Sequence, residues 1–188
     1  MPETRSKITN IAVFCGSSMG NNPLYRQVAW ELGRELACRG IGVVYGGGNI
    51  GLMGTVADGA LEQGGRVIGV IPNSLVEREL AHLGLTELHV VETMHERKAL
   101  MAERSDAFIA LPGGYGTLDE LCEIVTWRQL HFHQKPIGLL NTADFFDPFL
   151  EFVHHAYEEG FVHNTHLQFL HVHAEVSSLL ELLEQNMP

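Results

Sequence analysis

Short apolar runs alternate along the chain with longer stretches whose apolar residues recur every three to four positions, the signature of strands alternating with helices. The runs at 8–15, 42–45, 66–71, 88–91, 107–111, 136–140 and 168–172 predict strands, and 23–39, 52–63, 93–104, 117–130, 148–159 and 174–185 predict helices. The first helix is punctuated at both ends: Asn22 stands where an N-cap belongs, Pro23 takes the first position, and Gly40 follows the last. Leu24, Val28, Leu32 and Leu36 repeat at i+4, while Phe149, Phe152, Val153, Ala156 and Val176, Leu179, Leu180, Leu183 follow i, i+3, i+4, i+7. Strands rich in Val, Ile and Leu are suited to burial on both faces. The pattern therefore predicts an α/β fold, Rossmann-like and doubly wound, with a mostly parallel sheet and helices on both faces. No linker, repeat or low-complexity tract divides residues 1–188, so a single domain is expected.

Composition narrows the function. A chain that is 45% hydrophobic and 19% charged is an ordinary globular one. Its net charge of −11, from 12 Lys+Arg against 23 Asp+Glu, argues against a broad nucleic-acid or anionic-membrane surface. The polar start and the absence of any eighteen-residue apolar run lead us to expect a soluble, cytoplasmic protein with no membrane partner. Cys15, Cys38 and Cys122 are few, far apart and set in apolar segments, so core positions are expected of them and no disulfide framework. Eleven histidines include His131-x-His133, His154-His155 and His171-x-His173, but without an H-E-x-x-H helix or an adjoining carboxylate cluster no metal site is expected.

In an open α/β sheet, ligands bind beyond the carboxyl ends of the strands, where loops enter helix N-termini. Two such loops are rich in glycine: Gly46, Gly47 and Gly48 after the second strand, and Gly113, Gly114, Tyr115, Gly116 and Thr117 after Pro112. Backbone N–H groups brought close by glycine suit a phosphate, whereas the plainer reading is tight turns and close helix packing. Thr117-x-x-Glu120 fits a capping box, which gives Glu120 a structural role. Leu118, Leu121, Cys122 and Val125 form the expected buried stripe, so Glu120 stands on another flank, beside the cradle, where its carboxylate is also a candidate catalyst. Thr93-Met94-His95-Glu96 is a second capping signature, followed by Arg97 and Lys98. Two cations near a helix N-terminus oppose its dipole, a conflict that a bound anion would remove.

Tyr45-Gly-Gly-Gly-x-x-Gly-Leu-Met-Gly54, Gly69-Val-Ile-Pro72, Arg97-Lys98 and Pro112-Gly-Gly-Tyr-Gly-Thr-Leu-Asp-Glu120 together resemble the Lonely Guy family, cytokinin riboside 5′-monophosphate phosphoribohydrolases once labelled lysine decarboxylases. The resemblance runs in order from about Val13 to Phe161. It implies a homodimer that hydrolyses the N-glycosidic bond of a nucleoside 5′-monophosphate, releasing a cytokinin or adenine base and ribose 5-phosphate with no cofactor. It also implies that Arg97 and Glu120 are the catalytic pair, and that Glu79, Lys98, Gly114, Tyr115, Gly116, Thr117 and Thr126 contact substrate. Trp127 and Leu130, apolar on the outer side of their helix, fit the dimer expectation. Asp119 replaces a common Glu, Asn73 a frequent basic residue, and His131-Phe132 the usual Gly-Ile. The alternative is a nucleotide or phosphorylated-cofactor carrier using the same cradle without turnover. A lysine decarboxylase is disfavoured because neither Lys98 nor Lys135 lies in a recognisable context for a pyridoxal-type electron sink.

Overall fold

The structure is a computed structural model, and it describes residues 7–76 and 81–188. Seven strands form one sheet: β1 (Asn10–Phe14), β2 (Gly42–Tyr45), β3 (Val67–Pro72), β4 (Glu87–Val91), β5 (Ala107–Ala110), β6 (Ile137–Leu140) and β7 (Leu170–His173). The order is β4-β3-β2-β1-β5-β6-β7 and every pairing is parallel. The helices are α1 (Pro23–Cys38), α2 (Gly51–Leu61), α3 (Met94–Glu103), α4 (Tyr115–Gln129), α5 (Asp147–Glu158), α6 (Asn164–Leu167) and α7 (Val176–Gln185).

The alternation of sheet and helix divides the interior into two apolar layers. On one face Leu32, Leu36, Val56, Leu179 and Leu183 pack against Ile11, Val43 and Ile109, so α1, α2 and α7 cover it. On the other, Met101, Leu121, Ile124 and Phe146 pack against Phe14, Val44, Ile68 and Phe108, beneath α3 and α4. Burial from both sides is why the strands lack polar alternation. The chain winds outward from β1 to β4 and then returns to β5 beside β1, so β1 and β5 flank the point where the direction of winding reverses. Ligand sites of this fold class open there.

Several boundaries and packing roles differ from the sequence expectation. Asn22 does cap α1, its side chain accepting from the Leu24 amide at 3.0 Å, but Leu24 itself is exposed. Helix α4 starts at Tyr115, with Gly114 as N-cap and no side-chain cap, so Thr117 lies inside the first turn. Its buried residues are Thr117, Leu121 and Ile124, while Cys122 is exposed. Cys38 is exposed as well; only Cys15 occupies the core. Helix α5 buries none of its residues fully, and the short α6 was not expected. No helix among the described residues is long and apolar enough to cross a membrane.

Candidate functional site

At the reversal point the loops leaving β1, β2 and β5 are knitted together by one residue. The Gly16 amide donates to the Pro112 carbonyl at 3.1 Å, and the Gly16 carbonyl accepts from the amides of Leu52 and Met53 at 3.0 and 3.4 Å. The first bonds available at the start of α2 are thus already taken. The glycine turn before it is a packing joint: the Gly47 carbonyl accepts from the His82 amide at 3.0 Å, and Gly48 bridges to Ala81. A Cβ on Gly46 would overlap the Arg97 guanidinium. The Gly46 and Gly47 carbonyls are thus engaged by Arg97 and His82, which ties the first glycine loop to α3 and to the segment before β4.

The second loop is open. The first helical bond of α4 runs from the Leu118 amide to the Gly114 carbonyl at 3.1 Å, which leaves the amides of Tyr115, Gly116 and Thr117 without helical acceptors. Cβ atoms on Gly114 or Gly116 would meet nothing, and Tyr115 is 94% exposed. A bare helix end with accessible amides and a favourable dipole suits an anion. A cavity of about 280 Å³ adjoins it, walled by Ser17, Ser18, Met19, Tyr25, Gly113 and Phe145. Ser17 and Ser18 escaped the sequence reading; a Gly-Ser-Ser run directly after the first strand was the available signal.

Arg97 comes from the first turn of α3, whose N-cap Thr93 accepts from the Glu96 amide at 3.1 Å. Its side chain is directed into the sheet's end, where Nε donates to the Val70 carbonyl at 3.1 Å and Nη2 to the Gly46 carbonyl at 3.0 Å. Only 5% of the residue is exposed. A planar fork that binds the ends of β2 and β3 in this way is fixed in direction as well as charge. Glu120 lies in the second turn of α4, beyond the capping positions, so the capping-box role expected for it does not apply. Both charges act on Cys15, the residue after β1. Burial pushes that thiol well above the usual range, the Glu120 carboxylate adds to the rise, and the Arg97 guanidinium opposes it.

Thr117 is buried against Gly113, whereas Thr126, about two and a half turns further along α4, is exposed and its hydroxyl donates to the Cys122 carbonyl at 2.7 Å. Lys98 faces α4, its ammonium 3.0 Å from Asp119 and 3.1 Å from Glu123. Burial works against that charge, but the two carboxylates outweigh it and hold the pKa above the ordinary lysine value. Glu79 lies outside the described residues. Among the described residues, no group of three or more His, Cys, Asp or Glu side chains is arranged to hold a metal ion.

Comparison with known proteins bears on this geometry. The family model described as "Possible lysine decarboxylase" matches residues 53–183. The chain is 47% identical over its whole length to cytokinin riboside 5′-monophosphate phosphoribohydrolase LOG2 of Arabidopsis thaliana, covering 88% of that protein. It is 55% identical over 160 residues to the phosphoribohydrolase LOG of Oryza sativa subsp. japonica, which covers 85% of this chain and 66% of the rice protein. Among solved structures, the molybdenum cofactor carrier protein of Chlamydomonas reinhardtii superposes with a TM-score of 0.72 at 24% identity, over 95% of this chain and 98% of that one. At that identity the likeness establishes the shared fold alone.

Proposed function

Since the chain belongs to the Lonely Guy family of cytokinin riboside 5′-monophosphate phosphoribohydrolases, we propose that it hydrolyses the N-glycosidic bond of cytokinin nucleoside 5′-monophosphates at the β1–β5 reversal point. Base and ribose 5-phosphate are the products. The observation that carries the reading is the buried Arg97, fixed on the Val70 and Gly46 carbonyls at the ends of β3 and β2, on the same side of the sheet as the N-terminus of α4, whose second turn carries Glu120.

The 5′-phosphate lies against the amides of Tyr115, Gly116 and Thr117, with Gly114 and Gly116 leaving the approach clear and Gly113 packed closely against Thr117 and Gly16. Held there, the substrate presents its anomeric carbon to the carboxylate instead of tumbling, so remote binding energy supports the reacting geometry. As the bond from C1′ to the base nitrogen breaks, its electron pair leaves with the base and positive charge grows on the ribose. Glu120 stabilises that charge and accepts a proton from the water that attacks C1′, and the departing nitrogen takes up one proton, so that the neutral base and ribose 5-phosphate are released and the carboxylate is restored. Arg97, with two of its nitrogens fixed on Val70 and Gly46, orients ribose or phosphate oxygens.

Incubation with AMP, isopentenyladenosine monophosphate, the matching nucleosides and lysine, followed by chromatography of the free base, tests the reading. Base should appear from the monophosphates and far more slowly from the nucleosides. Equal rates on adenosine and AMP, or no base from either monophosphate, would defeat it, and the carrier reading would then apply to a monophosphate bound but unchanged.

A homodimer is part of the same proposal. It is supported by the outer end of α4, where Phe132 is 73% exposed and Leu130 also faces solvent beside Trp127. Light scattering should give twice the 20.8 kDa chain mass; a monomer at micromolar concentration would remove this element.

A further inference from the structure

The loop from β6 to α5, residues 141–146, carries two consecutive residues in the left-handed region, Ala143 at φ +52° and Asp144 at φ +57°, and neither is glycine. We propose that this loop is a strained arm that holds Phe145 as a wall of the phosphate pocket, and that Phe145 is a specificity residue for the 5′-phosphate of the nucleotide. The proposal rests on the hydrolase reading above and adds to it a residue that the family resemblance does not assign.

Place, chemistry and strain carry it together. The arm leaves the carboxyl end of β6, next to β5, whose own loop enters α4. Phe145 stands with Tyr25, Ser17, Ser18 and Gly114 around the cavity of about 280 Å³ beside the α4 N-terminus. It is exposed, whereas the next residue, Phe146, is buried in the core, so the arm sorts two adjacent rings to different tasks. The Phe145 ring meets that of Tyr25 edge to face, 5.7 Å between centroids, which joins the arm to α1. No charged side chain lines this cavity, so on this side a phosphate finds neutral donors only, the first amides of α4 and the Ser17 and Ser18 hydroxyls. Such donors act on an anion more strongly where apolar walls keep water out. The backbone that delivers the ring is unfavourable for residues with a Cβ, and it is braced from both ends. Asn141, itself buried, accepts from the Phe146 amide at 2.7 Å and donates to Asp147 at 2.8 Å. Thr142 is buried with its hydroxyl oxygen unpartnered, a second cost carried by the same loop. Costs of this kind persist where a side chain must be held in one place at a site, and Phe145 is the side chain that this arm delivers to the pocket.

The test uses the full chain and compares wild type with Phe145→Ala, Phe145→Tyr, Asp144→Gly and Asp144→Val. Calorimetry gives the affinities for AMP and for ribose 5-phosphate, chromatography of the free base gives turnover on AMP and adenosine, and thermal melting follows folding. Phe145→Ala should weaken both affinities about tenfold and raise KM for AMP to match, with kcat and the slow adenosine rate within about threefold of wild type. Phe145→Tyr keeps the ring and should restore both affinities. The backbone is tested apart from the ring. Glycine accepts φ +57°, so Asp144→Gly should melt higher than wild type and keep its AMP affinity. Valine does not accept it, so Asp144→Val should displace Phe145 and weaken AMP binding about as much as Phe145→Ala does. Unchanged affinities in folded Phe145→Ala would overturn the proposal, and so would a folded Asp144→Val that binds AMP as wild type does. An adenosine rate that falls as far as kcat/KM on AMP would make Phe145 a general structural residue and overturn it too. If wild type binds AMP without releasing base, the hydrolase reading fails by itself, and the two affinities still decide the role of Phe145.

Discussion

At the scale of single residues, the structure separates two roles that the sequence left combined in Glu120. Thr117-x-x-Glu120 has the spacing of a capping box, but α4 begins two residues earlier, so Glu120 stands beyond the capping position. Replacing it by Gln keeps the size of the side chain and its capacity for hydrogen bonding, so the variant should still fold and melt cooperatively. Removal of the charge should lower kcat on AMP by roughly a hundredfold, the scale of losing a general base or an electrostatic group at an oxocarbenium-like centre. Near-normal turnover in folded Glu120→Gln would take catalysis away from this carboxylate. Arg97 differs in kind. Its guanidinium is buried on two carbonyls, so Arg97→Ala removes the group facing substrate and also leaves the Val70 and Gly46 oxygens without their donor, coupling a loss of activity to a loss of stability.

At the scale of elements, the glycines of α4 and the residue that ends it can be tested separately. A Cβ on Gly116 meets no protein atom, so Gly116→Ala should stabilise the first turn by about 0.5 kcal/mol. The added methyl stands beside the amides assigned to phosphate, and KM for AMP should rise about tenfold while the melting temperature does not fall. A variant with both quantities unchanged would show that the phosphate lies elsewhere. At the other end, His131 has φ +63°, and the amides of His131 and Phe132 donate to the carbonyls of Arg128 and Trp127, the two bonds of a Schellman closure. Glycine suits that left-handed position, so His131→Gly should stabilise the chain by about 1 kcal/mol, or about 2–4 °C by calorimetry, with turnover unaffected. These cases also mark what was legible beforehand. The strand and helix alternation could be read because burial on both faces of the sheet writes itself into runs such as Val43 to Tyr45 and Ala107 to Ala110. The start of α4 was misplaced because Gly114 caps it with no side chain, while Thr117 imitates a cap. The partners of Lys98 were hidden because Asp119 is 21 positions away, a distance that local periodicity does not span. The packing of the first glycine turn was hidden for a related reason: composition records flexible backbone but not that the Gly46 and Gly47 carbonyls accept from Arg97 and His82.

At the scale of the whole molecule, the reversal of winding between β1 and β5 creates the site, while two half-buried imidazoles, His133 and His171, make folding stability depend on pH near neutrality. His133, whose Nε2 is 2.9 Å from the Ile124 carbonyl, is held below the ordinary imidazole value chiefly by burial, with Lys135 and Arg128 adding to the fall. His171 is lowered by burial and then by Arg128, and its buried Nε2 has no hydrogen-bond partner. For both, the unfolded chain takes up a proton more readily than the folded one, so their contribution to stability is present above about pH 6.5 and is lost as pH falls below it. Asp106 acts in a lower window. Burial raises its pKa, but the Thr9 hydroxyl and the amides of Thr9 and Asn10 outweigh that and hold it below the ordinary 3.8, so its share is lost only in stronger acid. Thermal melts should therefore show a plateau near neutrality, a first decline beginning near pH 6.5 and a steeper one below about 3.8. His171→Leu removes both the titration and the unpartnered nitrogen, so it should flatten the first decline and leave the second in place. An unchanged first decline in that variant would assign the loss to other groups, with His133→Gln the next substitution to measure.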